Sequence, residues 1–155
     1  MITPLKAGDT APHFDLSNQN GDRIKLSDFA GSKVLVYFYP KAMTPGCTIQ
    51  AKGLRDSIDN FSKNNTEVVG ISPDVDAKLA KFTEKEQLNF TLLSDPDHKI
   101  AEAFGVWGLK KFMGKEYDGI HRLSFLIDEE GRVEQVFDKF KTKDHHQVVL
   151  DYLIQ

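Results

Sequence analysis

Apolar positions along the chain fall into short runs, and their order predicts alternating strands and helices. Val34-Leu35-Val36-Tyr37-Phe38-Tyr39 is apolar without a break, the length and composition of a strand buried on both faces of a sheet. Pro40 ends it, having no N–H to give to a ladder. Thr44-Pro45 predicts a helix start, with Thr capping free amides and Pro preset for the first turn. Ala51, Leu54, Ile58 and Phe61 then recur at spacings of three, four and three, one apolar face of a helix. Upstream, His13–Leu16 and Asp22–Leu26 alternate around Asn20-Gly21, a hairpin whose turn demands positive φ. Ser27-Asp28-Phe29 reads as a capped turn leading into the buried strand.

Downstream, Asn64-Asn65 ends the helix and Glu67–Ile71 is the next strand. Ser72-Pro73-Asp74 opens a helix running to Gln87, with Leu79 and Phe82 inward. Phe90–Leu93 is a short strand, and Asp95-Pro96-Asp97 starts a helix with Ile100, Ala103 and Phe104 inward. Residues 105–119 hold four glycines, Trp107, Phe112 and Met113 without a period, and read as a long loop. His121–Ile127 alternates, Leu123, Phe125 and Ile127 on one face and Arg122, Ser124 and Leu126 on the other. Asp128-Glu129-Glu130-Gly131 turns it into Arg132–Phe137, a second hairpin. Thr142–Ile154 is a final helix with Val149, Tyr152 and Leu153 inward. This order supports an α/β class without fixing the topology. With no repeat or linker, one domain over 1–155 is expected.

Composition narrows the class. The 155 residues are 40% hydrophobic and 28% charged, enough for a real core, and the eleven Phe fit its packing. A formal charge of −3 gives no reason to expect nucleic acid or anionic membrane as a partner. Met1–Lys6 lacks the basic start and apolar run of a signal peptide, and no run approaches membrane-spanning length. A cytoplasmic address is expected. The single cysteine excludes an intramolecular disulfide and a zinc site built on several thiolates.

That cysteine carries the candidate chemistry. Counting from Thr44 as cap, Cys47 is the third helical residue, where unpaired amides and the helix dipole favour an anion. A thiol there should lose its proton more easily and become a nucleophile; the alternative is a small apolar core residue. Thr44 can donate and accept a hydrogen bond, and the Gly46 and Cys47 amides can face a substrate oxygen as an oxyanion hole does. Arg122 is the best candidate for a cation, on a strand expected beside Val34–Tyr39; its alternative is a solvent-facing side chain. His145-His146 and Asp95-Pro96-Asp97-His98 are not expected to bind metal, because adjacent helical His diverge and Asp95 serves as a cap. No cofactor is implied. Lys110-Lys111 and Lys115 read as a solvated face. The apolar residues of 105–114 are either a wall for organic substrates or anchors of their loop.

The pattern P-x-x-x-T-x-x-C, here Pro40, Thr44 and Cys47, resembles the peroxiredoxin signature. The longer run from Tyr37 to Thr48 resembles the bacterioferritin-comigratory, or Q-type, branch, and the likeness extends from Leu5 to the C-terminal helix. The resemblance implies a thioredoxin-like fold with an N-terminal β-hairpin and an inserted strand and helix. It implies a thiol-dependent peroxidase in antioxidant defence, reducing hydrogen peroxide and organic hydroperoxides. Cys47 would be the peroxidatic nucleophile, oriented by Thr44 and Gly46, shielded by Pro40 and supported by Arg122, whose segment His121–Asp128 resembles the family's arginine segment. Many Q-type members carry a resolving cysteine five residues on, where this chain has Lys52, natural or engineered. Others carry it in the next helix, where Thr83 and its neighbours stand. The implication is a one-cysteine cycle recycled by thioredoxin, glutaredoxin or glutathione, in a monomer, with a Cys47–Cys47 bridge between two chains as the alternative. Two further classes stay open on the residues alone. One is a thioredoxin-kind oxidoreductase that has lost its first cysteine to Thr44; the other is a binding module with an inert Cys47.

Overall fold

The computed structural model describes residues 2–155; Met1, which opens the N-terminal stretch read above, lies outside them. The hairpin β1 (Asp15–Asn18) and β2 (Arg23–Lys25) closes on Gly21 at φ +82°, while the Asn18 side chain accepts from the amides of Asn20 and Asp22. A 3-10 turn, Leu26–Phe29, capped by Asp28 on the Lys25 amide, leads into β3 (Lys33–Phe38). Then come α1 (Pro45–Asp56), α2 (Ile58–Lys63), β4 (Thr66–Ser72), α3 (Asp76–Glu86), β5 (Thr91–Ser94) and α4 (Lys99–Ala103). The chain ends with β6 (Trp107–Phe112), β7 (Lys115–Ile120), β8 (Ser124–Ile127), β9 (Val133–Phe137) and α5 (His145–Leu153).

Seven strands make one mixed sheet in the order β2-β1-β5-β4-β3-β8-β9, and β6-β7 form a separate two-stranded ribbon. β3 runs parallel to β4 and antiparallel to β8, which pairs Val36 with Phe125 and Tyr37 with Ser124. Being central, β3 is covered on both faces and alternates between two cores. Leu35, Tyr37 and Tyr39 point to α1, α3 and α5, packing with Ala51, Leu54, Phe82 and Val149. Val34, Val36 and Phe38 point the other way, to Phe14, Phe104, Val106 and Phe125. The first core holds Cys47. Two glycines make that side dense: a Cβ on Gly70 would meet the Tyr37 ring at 2.8 Å, and one on Gly53, inside α1, would meet the His146 imidazole. Such contact justifies a mid-helix glycine that otherwise costs about 1 kcal/mol against alanine.

Several boundaries differ from the sequence expectations. The helix read from Ala51 through Phe61 is two helices, broken at Ser57, whose φ of −113° and ψ of 6° step the axis while Leu54 and Phe61 both stay buried. α3 begins at Asp76 rather than at Ser72-Pro73-Asp74, because the Asp74 carboxylate is taken by the Ala42 amide at 2.7 Å and Ser72 Oγ at 2.9 Å. In α4 Ala101 is buried and Ala103 exposed, and Asp95 accepts from the amides of Ile100 and Ala101 although His98 is the N-cap. α5 starts at His145, not Thr142. The largest correction is residues 105–119, which are no loop: β6 and β7 pair from Trp107↔Ile120 to Phe112↔Lys115. Met113 and Gly114, both at positive φ, make their two-residue turn.

Candidate active site

The site sits where β3 and β4 end. The Tyr39 amide still donates to Ile71 O, and Pro40, half-buried, then leaves the ladder. Residues 40–44 swing over the sheet edge, held by the Ala42–Asp74 bond and by Met43 at φ +65°, a left-handed backbone rarely adopted by a side-chain-bearing residue. Thr44 is the N-cap of α1 by backbone, φ −90° and ψ 157°, and its carbonyl accepts from the Thr48 amide at 2.9 Å.

Its side chain does not cap. The Thr44 hydroxyl donates to Lys41 O at 2.7 Å instead. Capping by Thr44 was the expectation; the tight turn brings Lys41 O closer than the helix amides. Two things follow: the hydroxyl's lone pairs stay available to accept, and among the described residues no hydrogen bond closes on the Gly46 or Cys47 amides. Pro45, as first helical residue, contributes no donor. The first turn of α1 therefore presents two free N–H groups beside the sulfur.

Cys47 is 1% exposed, a recessed free thiol at the third helical position. Arg122 Nη1 lies 3.4 Å from its Sγ and donates at 2.7 Å to Gln50 Oε1. Arg122 precedes β8 rather than lying on it, but the neighbouring strand is the expected one. The Phe38 amide bonds Leu123 O at 2.9 Å, which registers Arg122 against the end of β3. Arg122 also approaches Gly46, where an added Cβ would stand 3.5 Å from Nη2 and 3.7 Å from Thr142 Cγ2.

Sequence reasoning missed Gln50. It is fully buried, one helical turn after Cys47, and it fixes the guanidinium that faces the sulfur. A polar residue amid the apolar face Cys47-Ala51-Leu54 was the available signal. His145 was missed as well: fully buried, it meets Ser124 Oγ at 2.7 Å through Nε2. Burial first, then the charges of His146 and Arg122, push its pKa down to about 3, so it is neutral near pH 7. Burial, then Tyr39 and Cys47, raise Tyr37 well above its ordinary value, and Tyr37 stacks on Tyr39 at 5.4 Å. Lys52 is exposed on α1. Trp107 stacks on His98 at 3.8 Å, anchoring the ribbon, whereas Phe112 and Met113 stay exposed. Among the described residues no cluster of three His, Cys, Asp or Glu could hold a metal, and no helix is long and apolar enough to cross a membrane.

A thiol facing a guanidinium and two free amides is built for charge on sulfur and on an oxygen bonded to it. Residues 7–136 match the AhpC/TSA family. The chain is 63% identical to peroxiredoxin Bcp of Escherichia coli over 98% of this chain and 97% of that one. It is 50% identical to peroxiredoxin Bcp of Bacillus subtilis over 91% and 90%. Among solved structures, peroxidoxin BcpB of Mycobacterium tuberculosis superposes with a TM-score of 0.86 at 36% identity, covering 97% of each chain. A cysteine-to-serine mutant of Xylella fastidiosa PrxQ gives a TM-score of 0.92 at 29% identity, covering 98% and 97%. The chain belongs to the AhpC/TSA family: it is a peroxiredoxin of thioredoxin-like fold, a thiol peroxidase with one cysteine.

Proposed function

We propose that Cys47 is the peroxidatic nucleophile and that Arg122, Thr44 and the amides of Gly46 and Cys47 hold the peroxide in line with it. The observation that carries this reading is the 3.4 Å approach of Arg122 to Sγ at the amide-rich end of α1. The peroxide's O–H donates to Thr44, whose own proton is committed to Lys41 O. The thiolate pair forms an S–O bond to the terminal oxygen as the O–O bond breaks. The departing oxygen takes a proton and leaves as water or an alcohol, and Cys47 becomes a sulfenic acid. Arg122 balances charge on sulfur and on the departing oxygen, and Pro40 limits access of bulk water.

The cycle closes through an external thiol, because the chain holds no second cysteine. A donor thiolate attacks the sulfenic sulfur, water leaves, and a second thiol frees Cys47 from the mixed disulfide. Thioredoxin, glutaredoxin and glutathione are the candidate donors. The protein works as a monomer in the cytoplasm, on hydrogen peroxide and organic hydroperoxides. Peroxide consumption measured with each donor in turn tests this. One donor should sustain many turnovers of both hydrogen peroxide and tert-butyl hydroperoxide, with the protein eluting as a monomer. A single turnover with every donor would overturn the external-thiol cycle, and accumulation of a Cys47–Cys47 dimer would replace it.

A further inference from the structure

The β6-β7 ribbon feeds directly into Arg122, and its one half-buried lysine turns toward that junction. In the pairing, Gly108, Lys110 and Phe112 share a face with Lys115, Tyr117 and Gly119, while Lys111 and Glu116 lie on the other. The Lys110 stem runs back across Gly119, where an added Cβ would meet Lys110 Cδ at 3.2 Å, so the missing side chain there makes its path. The Nζ donates at 2.7 Å to Ile120 O, two residues before Arg122. His121 Nε2, 3.0 Å from Leu109 O, pins the same corner. Lys110 is thus not part of a solvated lysine face, as the pattern Lys110-Lys111 suggested. Burial pushes its ammonium down, the Arg122 charge adds to that, and Cys47 opposes it.

A second cation at this position has no partner in the attack on hydrogen peroxide, which carries no charge beyond the atoms that Thr44, Arg122 and the amides hold. The resolving step differs. The sulfur is 1% exposed and must be reached by an anion from outside, which favours a small thiolate over a protein surface. Resting on the reading that Cys47 forms a sulfenic acid, we propose that Lys110 is a specificity-determining residue of the resolving step: its ammonium receives the carboxylate of a small acidic thiol while that thiol's sulfur attacks Cys47. The step is R–S⁻ plus Cys47–S–OH plus a solvent proton giving Cys47–S–S–R and water; the S–O bond breaks as the S–S bond forms.

The test uses the full chain, first oxidised with one equivalent of hydrogen peroxide and checked by intact mass for one added oxygen. Mixed-disulfide formation is then timed with 3-mercaptopropionate and with its neutral amide. The wild type should favour the acid once thiolate fractions are matched. Lys110→Gln should cut that preference by about five- to tenfold, and added salt should erode it in the wild type. Lys110→Arg should retain it, and so should Lys111→Gln, an equal charge loss on the opposite face. An unchanged preference in Lys110→Gln overturns the proposal, and so does an equal drop in Lys111→Gln. A further arm compares a carboxylate-bearing hydroperoxide with tert-butyl hydroperoxide in the oxidation step; Lys110 acting on that pair and not on the thiols also overturns it. Absence of the oxygen adduct in the first stage removes the sulfenic acid reading itself, and the proposal with it.

Discussion

The two faces of the central sheet are covered from the same strands but bury different chemistry. On the face away from Cys47, Phe38, Phe104 and Phe125 meet at centroid distances of 5.1 to 6.0 Å among Val36, Val69, Ile71 and Leu93, an aromatic cluster packed in aliphatic side chains. On the Cys47 face the same strand contributes Tyr37, with Tyr39 just beyond its end, and the helices add Gln50, His145 and His146. Among the described residues the Tyr37 hydroxyl, Gln50 Nε2, His145 Nδ1 and His146 Nδ1 have no protein partner. Aromatic pairs of the first kind add about 0.5–1.5 kcal/mol each, whereas a buried unsatisfied polar group costs about 1–3 kcal/mol. One face supplies cohesion, and the other gives up part of it to keep polar groups around the sulfur of Cys47.

Mutations should separate the two roles. The largest effect belongs to the apolar face. Phe104→Ala should destabilise the fold by about 3–5 kcal/mol in chemical denaturation, while the oxidation rate of Cys47 in the folded fraction stays within about twofold. A loss of rate beyond that would show that the faces are not separable.

Acid should act through the Cys47 face. His145 is pushed down to about 3 by burial, whereas unfolded it titrates near 6.5. Between those values the unfolded chain binds the extra proton, so stability rises with pH and is lost as pH falls. At pH 4 the contribution lost relative to pH 7 is about 3 kcal/mol. Denaturation curves at both pH values should show this in the wild type, and His145→Gln should flatten the slope. An equally steep slope in that variant would assign it to carboxylates elsewhere.

Part of this arrangement is legible in the chain and part is not. Val34–Tyr39, Pro40 and Thr44-Pro45 place Cys47 at a helix start because each signal is local and steric. The alternation in His121–Ile127 likewise points Leu126 to one core and Phe125 to the other. The β6-β7 ribbon was hidden because Lys111, Phe112, Lys115, Glu116 and Tyr117 are all exposed, so neither face writes an apolar period. Lys110 was hidden with it, since its course depends on Gly119 nine residues later. The Ser124–His145 pair spans 21 residues and two elements, a contact that no local pattern encodes.

A smaller effect should come from the joint between sulfur and strand. Gln50→Leu removes the acceptor that holds Arg122 and one unpartnered amide at the same time. Stability should move by no more than about 1 kcal/mol, because the two changes offset. Peroxide oxidation of Cys47 should slow by about five- to tenfold as Arg122 loses its fixed position. Equal rates would mean that Leu123 and β8 alone hold the guanidinium.

The most direct measurement is intact mass of the reduced protein after one equivalent of hydrogen peroxide, for wild type and Arg122→Ala side by side. The wild type should promptly gain one oxygen on Cys47, removed again by added thiol. The variant should react about a hundredfold more slowly. A Cys47 that stays unmodified for hours, or that oxidises equally fast without Arg122, would contradict the proposed mechanism.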